Sequence, residues 1–522
     1  MTEAPSRSPS IESAGVSVRR VAHEAVQLPL PPLQVLLGEG GDTRLALDPM
    51  TNRSRYGCPT TPDPGAADFG SATASIISPG GFAAAQTLRQ QLVEADAREP
   101  RAVTYAREID RLRGDLKDLC GVQDIGGLDL VFAASGTDLH LIVAELVSGS
   151  AAAPTVCINV EPRETGSGVP AALSGRHFSG WTALGAPVTE GDAFGGGGTE
   201  LITLSARAHD GSLRPAGEVE AELNAVAKTA VDAGRKVLLT VTDASKTGLI
   251  SPGLEAVVSL RERLGERIEV LVDACQFRLS PATLRAYLDH GFMVAITGSK
   301  FLTGPTFSGA LMVPASVAER LRARLPRASL RPYSARAEWP AGWVAGAALT
   351  EAVNYGLLLR WEAALSELRV FRALPDSAVE VAVRGFADTV EARLDADPRF
   401  ERLETRPLDR SAIGVGGGWD AAPTVFSFLL RHDAARGGGR LSLAAHQDVY
   451  RGLMAQRVRL GQPVLCGERD GRPVSALRLC NSARLIAECA ASGDASAVIG
   501  RAMTALDAAA DAAEAISRQG RI

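Results

Sequence analysis

A chain of 522 residues is long enough to bury a large core and to hold two or more domains. With 46% hydrophobic and 22% charged residues it reads as a soluble globular protein, and a formal net charge of −5 gives no basic bias and argues against nucleic acid as the main partner. Its seven cysteines form no CxxC pair or zinc-type spacing, and no apolar run reaches membrane-spanning length, so the expectation is a reducing cytoplasm, no structural metal and no membrane.

Residues 1 to about 30 are rich in Ser, Pro and charge and are expected to be loosely ordered. The Arg19-Arg20 pair runs into Val-Ala-His-Glu and not an apolar stretch, so it is not read as an export signal. Two polar, turn-rich segments follow, 52–59 and 69–75. Helical periodicity then covers 81–97 and 102–119. An apolar run at 128–134 ends in Ser135-Gly136-Thr137-Asp138 and leads into a helix reaching about Val147. Six further strands are expected at 155–160, 201–204, 237–242, 268–272, 292–297 and 309–313, with helices at 217–233, 253–264 and 281–290 between several of them. Continuous apolar strands alternating with helices predict an α/β domain with a mostly parallel, seven-stranded sheet covered on both faces. After Pro314 the pattern changes. A long helix is expected over 343–373, then a helix at 376–395, strands at 424–430 and 474–480, a helix near 441–455 and a final Ala-rich helix from about 493. The expected division is an N-terminal arm (1–80), a large α/β domain (81–340), and a linking helix with a small α+β domain (341–522). Gly195–Gly198 and Gly416–Gly418 read as loop tips, because neither sits at a strand-to-helix junction in a phosphate-binding pattern.

The lysines are the most informative residues. There are only five (Lys117, Lys228, Lys236, Lys246 and Lys300) among 55 basic side chains. Where arginine is so strongly preferred, a retained lysine suggests a need for an amine that can lose its proton and act as a nucleophile. Lys300 closes the apolar run Phe292-Met-Val-Ala-Ile-Thr-Gly-Ser-Lys300. Two other motifs also end apolar strands, and in parallel sheets ligands gather at the carboxyl ends of strands. Ser135-Gly136-Thr137 opens a helix and reads either as an ordinary N-cap or as an anion cradle of N–H groups and hydroxyls. Asp273, in Val272-Asp-Ala-Cys-Gln276, reads either as a turn cap or as the carboxylate partner of a protonated ring nitrogen. Together the three match the needs of pyridoxal phosphate: an anion cradle, a carboxylate for the pyridinium and a lysine for the aldehyde.

On Val272-Asp-Ala-Cys-Gln276 and Thr297-Gly-Ser-Lys-Phe-Leu-Thr-Gly-Pro305 the chain resembles the class V aminotransferase and cysteine desulfurase superfamily over about residues 80–490. The resemblance implies a fold-type I homodimer. It makes Lys300 the Schiff-base lysine, Asp273 the partner of the pyridine nitrogen, and Gln276 a neighbour of the phenolic oxygen. Ser135, Gly136, Thr137, Thr297 and Ser299 would surround the cofactor. Arg478, in Ser475-Ala-Leu-Arg478, would grip a substrate carboxylate, and Thr303 or Thr306 would serve across the dimer interface. Asn52, Tyr56 and Ser71 are substrate-side candidates on an arm that closes over the site.

The chain also departs from the family pattern. Ser299 replaces a His before the lysine. Thr165 falls where a ring-stacking His is usual, leaving His177 as a substitute. Ser245 falls where an Asn is usual, and Val464 where one group of desulfurases carries its nucleophilic Cys, with Cys466 two residues away. The resemblance implies a PLP-dependent enzyme acting on an amino-group substrate, with transamination first and β-elimination or C–S cleavage as the alternative. A non-catalytic PLP-binding regulator is the reading from a different class.

Overall fold

The protein is described from a computed structural model covering residues 29–194, 198–324, 330–432, 439–469 and 471–519. The expected loose ordering of the first residues, and Gly195 to Gly197 of the expected loop tip, lie outside the described residues. Strands β1 (Asp129–Ala133), β2 (Thr155–Val160), β3 (Thr199–Leu204), β4 (Val237–Thr242), β5 (Ile268–Ala274), β6 (Met293–Thr297) and β7 (Gly309–Val313) form one sheet in the order β1-β7-β6-β5-β4-β2-β3. Only β7 points opposite to the rest, pairing antiparallel with β1 and β6, while the other ladders are parallel. Strands β2, β4, β5, β6 and β7 are buried along their whole length, which is why they read as unbroken apolar runs.

Successive residues on a strand feed two different layers. Leu130 and Phe132 pack with the helices Pro79–Asp96, Arg101–Leu119 and Tyr355–Arg372 on one face, while Val131 and Ala133 pack under the helix Gly136–Val147 on the other. The carboxyl ends of β1, β5 and β6 share one edge of the sheet, so Ser135, Asp273 and Lys300 emerge on the same side.

The C-terminal part carries an antiparallel sheet of β8 (Phe400–Arg402), β9 (Val425–Leu430), β10 (Gly461–Arg469) and β11 (Arg472–Cys480), in the order β10-β11-β9-β8. The helices Asp376–Ala396, Leu443–Ala455, Ala483–Ser492 and Ser496–Arg518 belong to this part. A two-residue parallel ladder, Ala67–Asp68 with Val458–Arg459, ties the arm to it.

The expected helix over 343–373 is not continuous. A single turn, Val344–Ala347, is separated from Tyr355–Arg372. Asn354 restarts the helix by accepting the Leu357 N–H at 2.9 Å while its Nδ2 donates to Gly40 O at 3.1 Å. Strand β10 is not among the strands expected from the sequence, and it contains Gly461, Pro463 and Gly467. It is an edge strand with two register shifts, where Pro is tolerated.

Candidate active site

At this sheet edge lies a cavity of about 380 Å³, walled by all three parts of the chain. Lys300 reaches it from the turn after β6. The Thr297 hydroxyl donates to Cys275 O, and Ser75 Oγ holds Lys300 O at 3.1 Å. Gly298 is needed in that turn, since a Cβ there would meet the Ala364 methyl at 2.5 Å.

Asp273 ends β5 and is buried. Its Oδ2 accepts from the Thr165 hydroxyl at 3.0 Å and its Oδ1 from the Cys275 N–H at 3.2 Å. His140 Nε2 stands 3.5 Å from Oδ2. The other ring nitrogen of His140, Nδ1, lies 2.7 Å from Gly136 O, and a carbonyl can only accept, so Nδ1 carries a proton. A second proton on Nε2 makes the ion pair. Burial opposes charge on both groups, but the imidazolium and Lys300 together hold Asp273 well below the usual carboxylate range, and Asp273 raises His140 above its ordinary value. The result is a carboxylate kept charged deep in the cavity.

The third motif is the N-cap that was one of its two readings. Ser135 caps the helix, its Oγ accepting the Asp138 N–H at 3.3 Å, while Gly136 and Thr137 line the cavity. A Cβ at Gly136 would meet Cys275 Sγ at 2.7 Å, so the helix end approaches the floor closely only because this residue is Gly. Arg44 crosses from the arm, donating to Thr137 Oγ1 at 3.2 Å and Ser135 Oγ at 3.3 Å, with its guanidinium 4.5 Å from the Phe307 ring centre. Asp42 pairs with it at 2.6 Å. Asp138 is pushed up to about 7 by burial and then by Asp42, which reduces the negative charge beneath the cradle. The Ser135 hydroxyl gives its proton to Asp138 Oδ2, so the helix N-terminus, the Thr137 hydroxyl and the Arg44 guanidinium are the donors that could face an anion.

Other expected residues divide. Tyr56, Thr297, Ser299, Thr306 and Arg478 line the cavity. Thr165 is placed on the Asp273 carboxylate. Ser245 is turned away, its hydroxyl on Glu164 Oε2 at 2.7 Å, and Gln276 donates to Ala72 O at 3.0 Å. Thr303 directs its hydroxyl to Glu367, and Ser71 accepts from Arg278. Asn52 is exposed on a turn at Asp48, outside the cavity wall, and His177 bonds and stacks with Tyr333 away from it. Cys466 is a buried thiol 3.4 Å from Val474 O, pushed up to about 11 by burial, while its neighbours Val464 and Leu465 face the cavity.

Sequence reasoning missed Arg44, His140 and Lys246. His140 sits four residues after Gly136, one helical turn along the same face, and that spacing was available as a signal. Lys246 was signalled by the same scarcity that singled out Lys300. Arg44 follows an ordinary Asp-capped turn and carried no signal. Among the described residues no cluster of side chains is arranged to hold a metal ion, and no helix is long and apolar enough to cross a membrane.

No protein-family model matches the chain, and no curated protein does. Solved structures do match. A cysteine desulfurase from Escherichia coli superposes with a TM-score of 0.50 at 15% identity, over 85% of this chain and 94% of that one. The cystine C-S lyase C-DES, in complex with cysteine persulfide, gives 0.50 at 16%, over 82% and 97%. A variant of that lyase with glycine covalently linked to its PLP cofactor gives 0.51 at 16%, over 82% and 99%. Likeness at this level of identity establishes the fold, and the chain has the fold-type I architecture.

Proposed function

We propose that the chain is a pyridoxal-phosphate-dependent enzyme acting on the amino group of an amino acid, with transamination as the reaction. One observation carries the reading: a lysine amine, a carboxylate held charged and a helix N-terminus with hydroxyl and guanidinium donors converge on one cavity. The donor set fits the cofactor, and the helix N-terminus at Gly136 lies directly on the cavity floor, where a Cβ would meet Cys275 Sγ at 2.7 Å.

Gly136, Thr137 and Arg44 would hold the phosphate. Asp273, tied by Thr165, Cys275 N–H and His140, would keep the ring nitrogen protonated. The cofactor, when bound, supplies an electron sink that stabilises negative charge at the substrate Cα. Lys300 would anchor the aldehyde and, once displaced by the substrate amine, carry the proton to and from Cα as general base and acid. Arg478 is buried, and its hydrogen-bond partners are Lys246 O, Thr73 Oγ1 and Gln462 O. Its Nε has none. Among the described residues it pairs with no carboxylate, which suits it to bind that of the substrate.

Elimination at Cβ, including C–S cleavage, is the second reading. It needs no protein thiol. A desulfurase route through a cysteine persulfide is disfavoured, because Cys466 is buried outside the cavity, and burial holds Cys275, on the floor, well above its ordinary value. A homodimer with a shared active site in the cytoplasm completes the proposal.

Purified protein is expected to be yellow, and borohydride followed by peptide mapping is expected to fix the cofactor to Lys300. Colourless protein that pyridoxal phosphate cannot reconstitute overturns the reading. With a panel of amino acids, conversion to the pyridoxamine form supports transamination, and release of ammonia or sulfide supports elimination. No spectral change with any amine favours a regulator. Light scattering on a sizing column tests the dimer.

A further inference from the structure

The cavity has more positive charge than a cofactor and a simple amino acid can use. Six basic side chains line it: Arg44, Arg55, Arg163, Lys246, Lys300 and Arg478. Among the described residues Asp273 is the one carboxylate on the wall, and His140 already faces it. Arg44 is paired with Asp42 at the phosphate end, and Arg163 stands 3.7 Å from Glu161. Lys300 is committed to the aldehyde and Arg478 to an α-carboxylate. Lys246 and Arg55 then remain without an anion.

Lys246 is the more informative of the two. It is half-buried, follows Ser245 in the turn after β4, and shares a wall with Arg478, whose Nη1 donates to the Lys246 carbonyl at 3.4 Å. Its own ammonium donates to Pro162 O at 3.0 Å, and no described carboxylate pairs with it. Glu164 is close enough to attract it, but that acid is used elsewhere. Glu164 Oε1 takes Arg207 Nε at 2.8 Å, and Oε2 takes the hydroxyls of Ser245 at 2.7 Å and Thr247 at 2.6 Å. The fold places an acid beside this lysine and then spends its lone pairs on other donors, so the ammonium stays free to meet a ligand. Arg55 adds a second cation, exposed at the cavity mouth, with its side chain against Tyr56 and no carboxylate partner among the described residues.

We propose that the substrate is an acidic amino acid, whose α-carboxylate binds Arg478 and whose side-chain anion binds Lys246, with Arg55 at the mouth. The shared chemistry is an anionic terminus on the side chain: carboxylate, sulfinate or phosphate. The proposal rests on the reading of the cavity as a cofactor-dependent site for amino acids. Electrostatics agrees with the geometry. Burial, and then the positive charges of Arg478 and Lys300, lower Lys246 to about 7, and an anion placed between these cations relieves that repulsion. Lysine suits this role because its compact ammonium on a flexible stem can follow side chains of different length.

The test uses the protein as purified. Calorimetry with succinate and with propionate compares a dicarboxylate with a monocarboxylate and requires no turnover. Succinate should bind about 10- to 100-fold more tightly, the range of one charge-assisted hydrogen bond. The Lys246→Gln variant should lose that advantage while propionate binding is unchanged, and Lys246→Arg should keep most of it. Arg55→Gln, which removes no hydrogen bond of the fold, should weaken succinate alone. Spectral titration with aspartate, glutamate, cysteine sulfinate and phosphoserine then ranks the terminus against alanine. Equal binding of succinate and propionate overturns the proposal. So does a Lys246→Gln variant that lowers turnover of acidic and neutral amino acids equally, because that is the signature of a proton-transfer group. A colourless, unreconstitutable protein that still prefers succinate would instead sink the cofactor reading and leave the two-anion wall standing.

Discussion

The residues that carry the proposal differ in how their effects can be separated. Lys300→Ala should abolish covalent trapping by borohydride and lower turnover about 10²- to 10⁴-fold, the usual range for a positioned general base. Trapping that persists in the variant would remove Lys300 as the anchor, and unchanged turnover would remove it as the base. His140 is a positioning residue for Asp273. In His140→Asn the neutral amide cannot hold the carboxylate charged, so Asp273 should titrate upward and the absorbance of the bound cofactor should become pH-dependent within the accessible range. A flat titration of that absorbance argues against the coupling. Lys246 gives a third prediction. Burial, and then Arg478 and Lys300, lower it to about 7 against the pull of Glu164 and Asp273, so it loses charge as pH rises through that value. The ratio of affinities for aspartate and a neutral amino acid should therefore fall as pH rises through 7. Taking the ratio cancels protonation events common to both ligands. Lys300 and Asp273 were legible as sequence because each closes an apolar run. Asn52 and His177 were not correctly placed by pattern, because a turn residue's direction depends on what packs beside it.

Among the elements, the strands of the large sheet were legible because burial on both faces demands unbroken apolar runs, and β2, β4 and β7 begin and end where the pattern does. The break before Tyr355 was hidden, since Asn354 caps the helix while also reaching across to Gly40, a contact between residues far apart in the chain. The loops beside the cavity depend on one buried pair. Arg207 and Glu164 are both fully buried, and the arginine also donates to Thr247 Oγ1, Gly211 O and Glu404 O. Arg207→Met leaves Glu164 unpaired and should cost about 3–5 kcal/mol in chemical denaturation. It should also loosen Thr165, next to Glu164, and so weaken cofactor retention. A variant as stable as the parent would mean that water or the remaining hydroxyls compensate. Changing both residues to apolar ones should recover much of the loss.

For the whole molecule, acid stability offers a readout independent of the active site. His446 is buried in the helix Leu443–Ala455, with Nδ1 facing Ser442 O and Nε2 accepting the Leu430 N–H at 3.2 Å. It is therefore neutral in the fold, and burial lowers it to about 4. Below its ordinary value near 6.5 the unfolded chain gains the proton and the folded chain does not, so stability should fall as pH drops from about 6.5 to 4. The loss approaches about 3 kcal/mol from this residue, and the His446→Gln variant should show a shallower pH dependence of unfolding. Strand β11 of the sheet beside this helix carries Arg478 into the cavity, while the arm brings Arg44 and Tyr56. By itself the sequence determined the layered α/β class, the strand ends that bear chemistry and the lysine and carboxylate at two of them. These follow from short-range rules: burial sets periodicity, and a buried strand followed by small polar residues sets where a reactive group emerges. Only the tertiary structure decided which groups surround them. Arg44, His140, Lys246 and Arg478 meet across hundreds of residues, and an unpaired cation is visible only once every carboxylate near it has been given its partner.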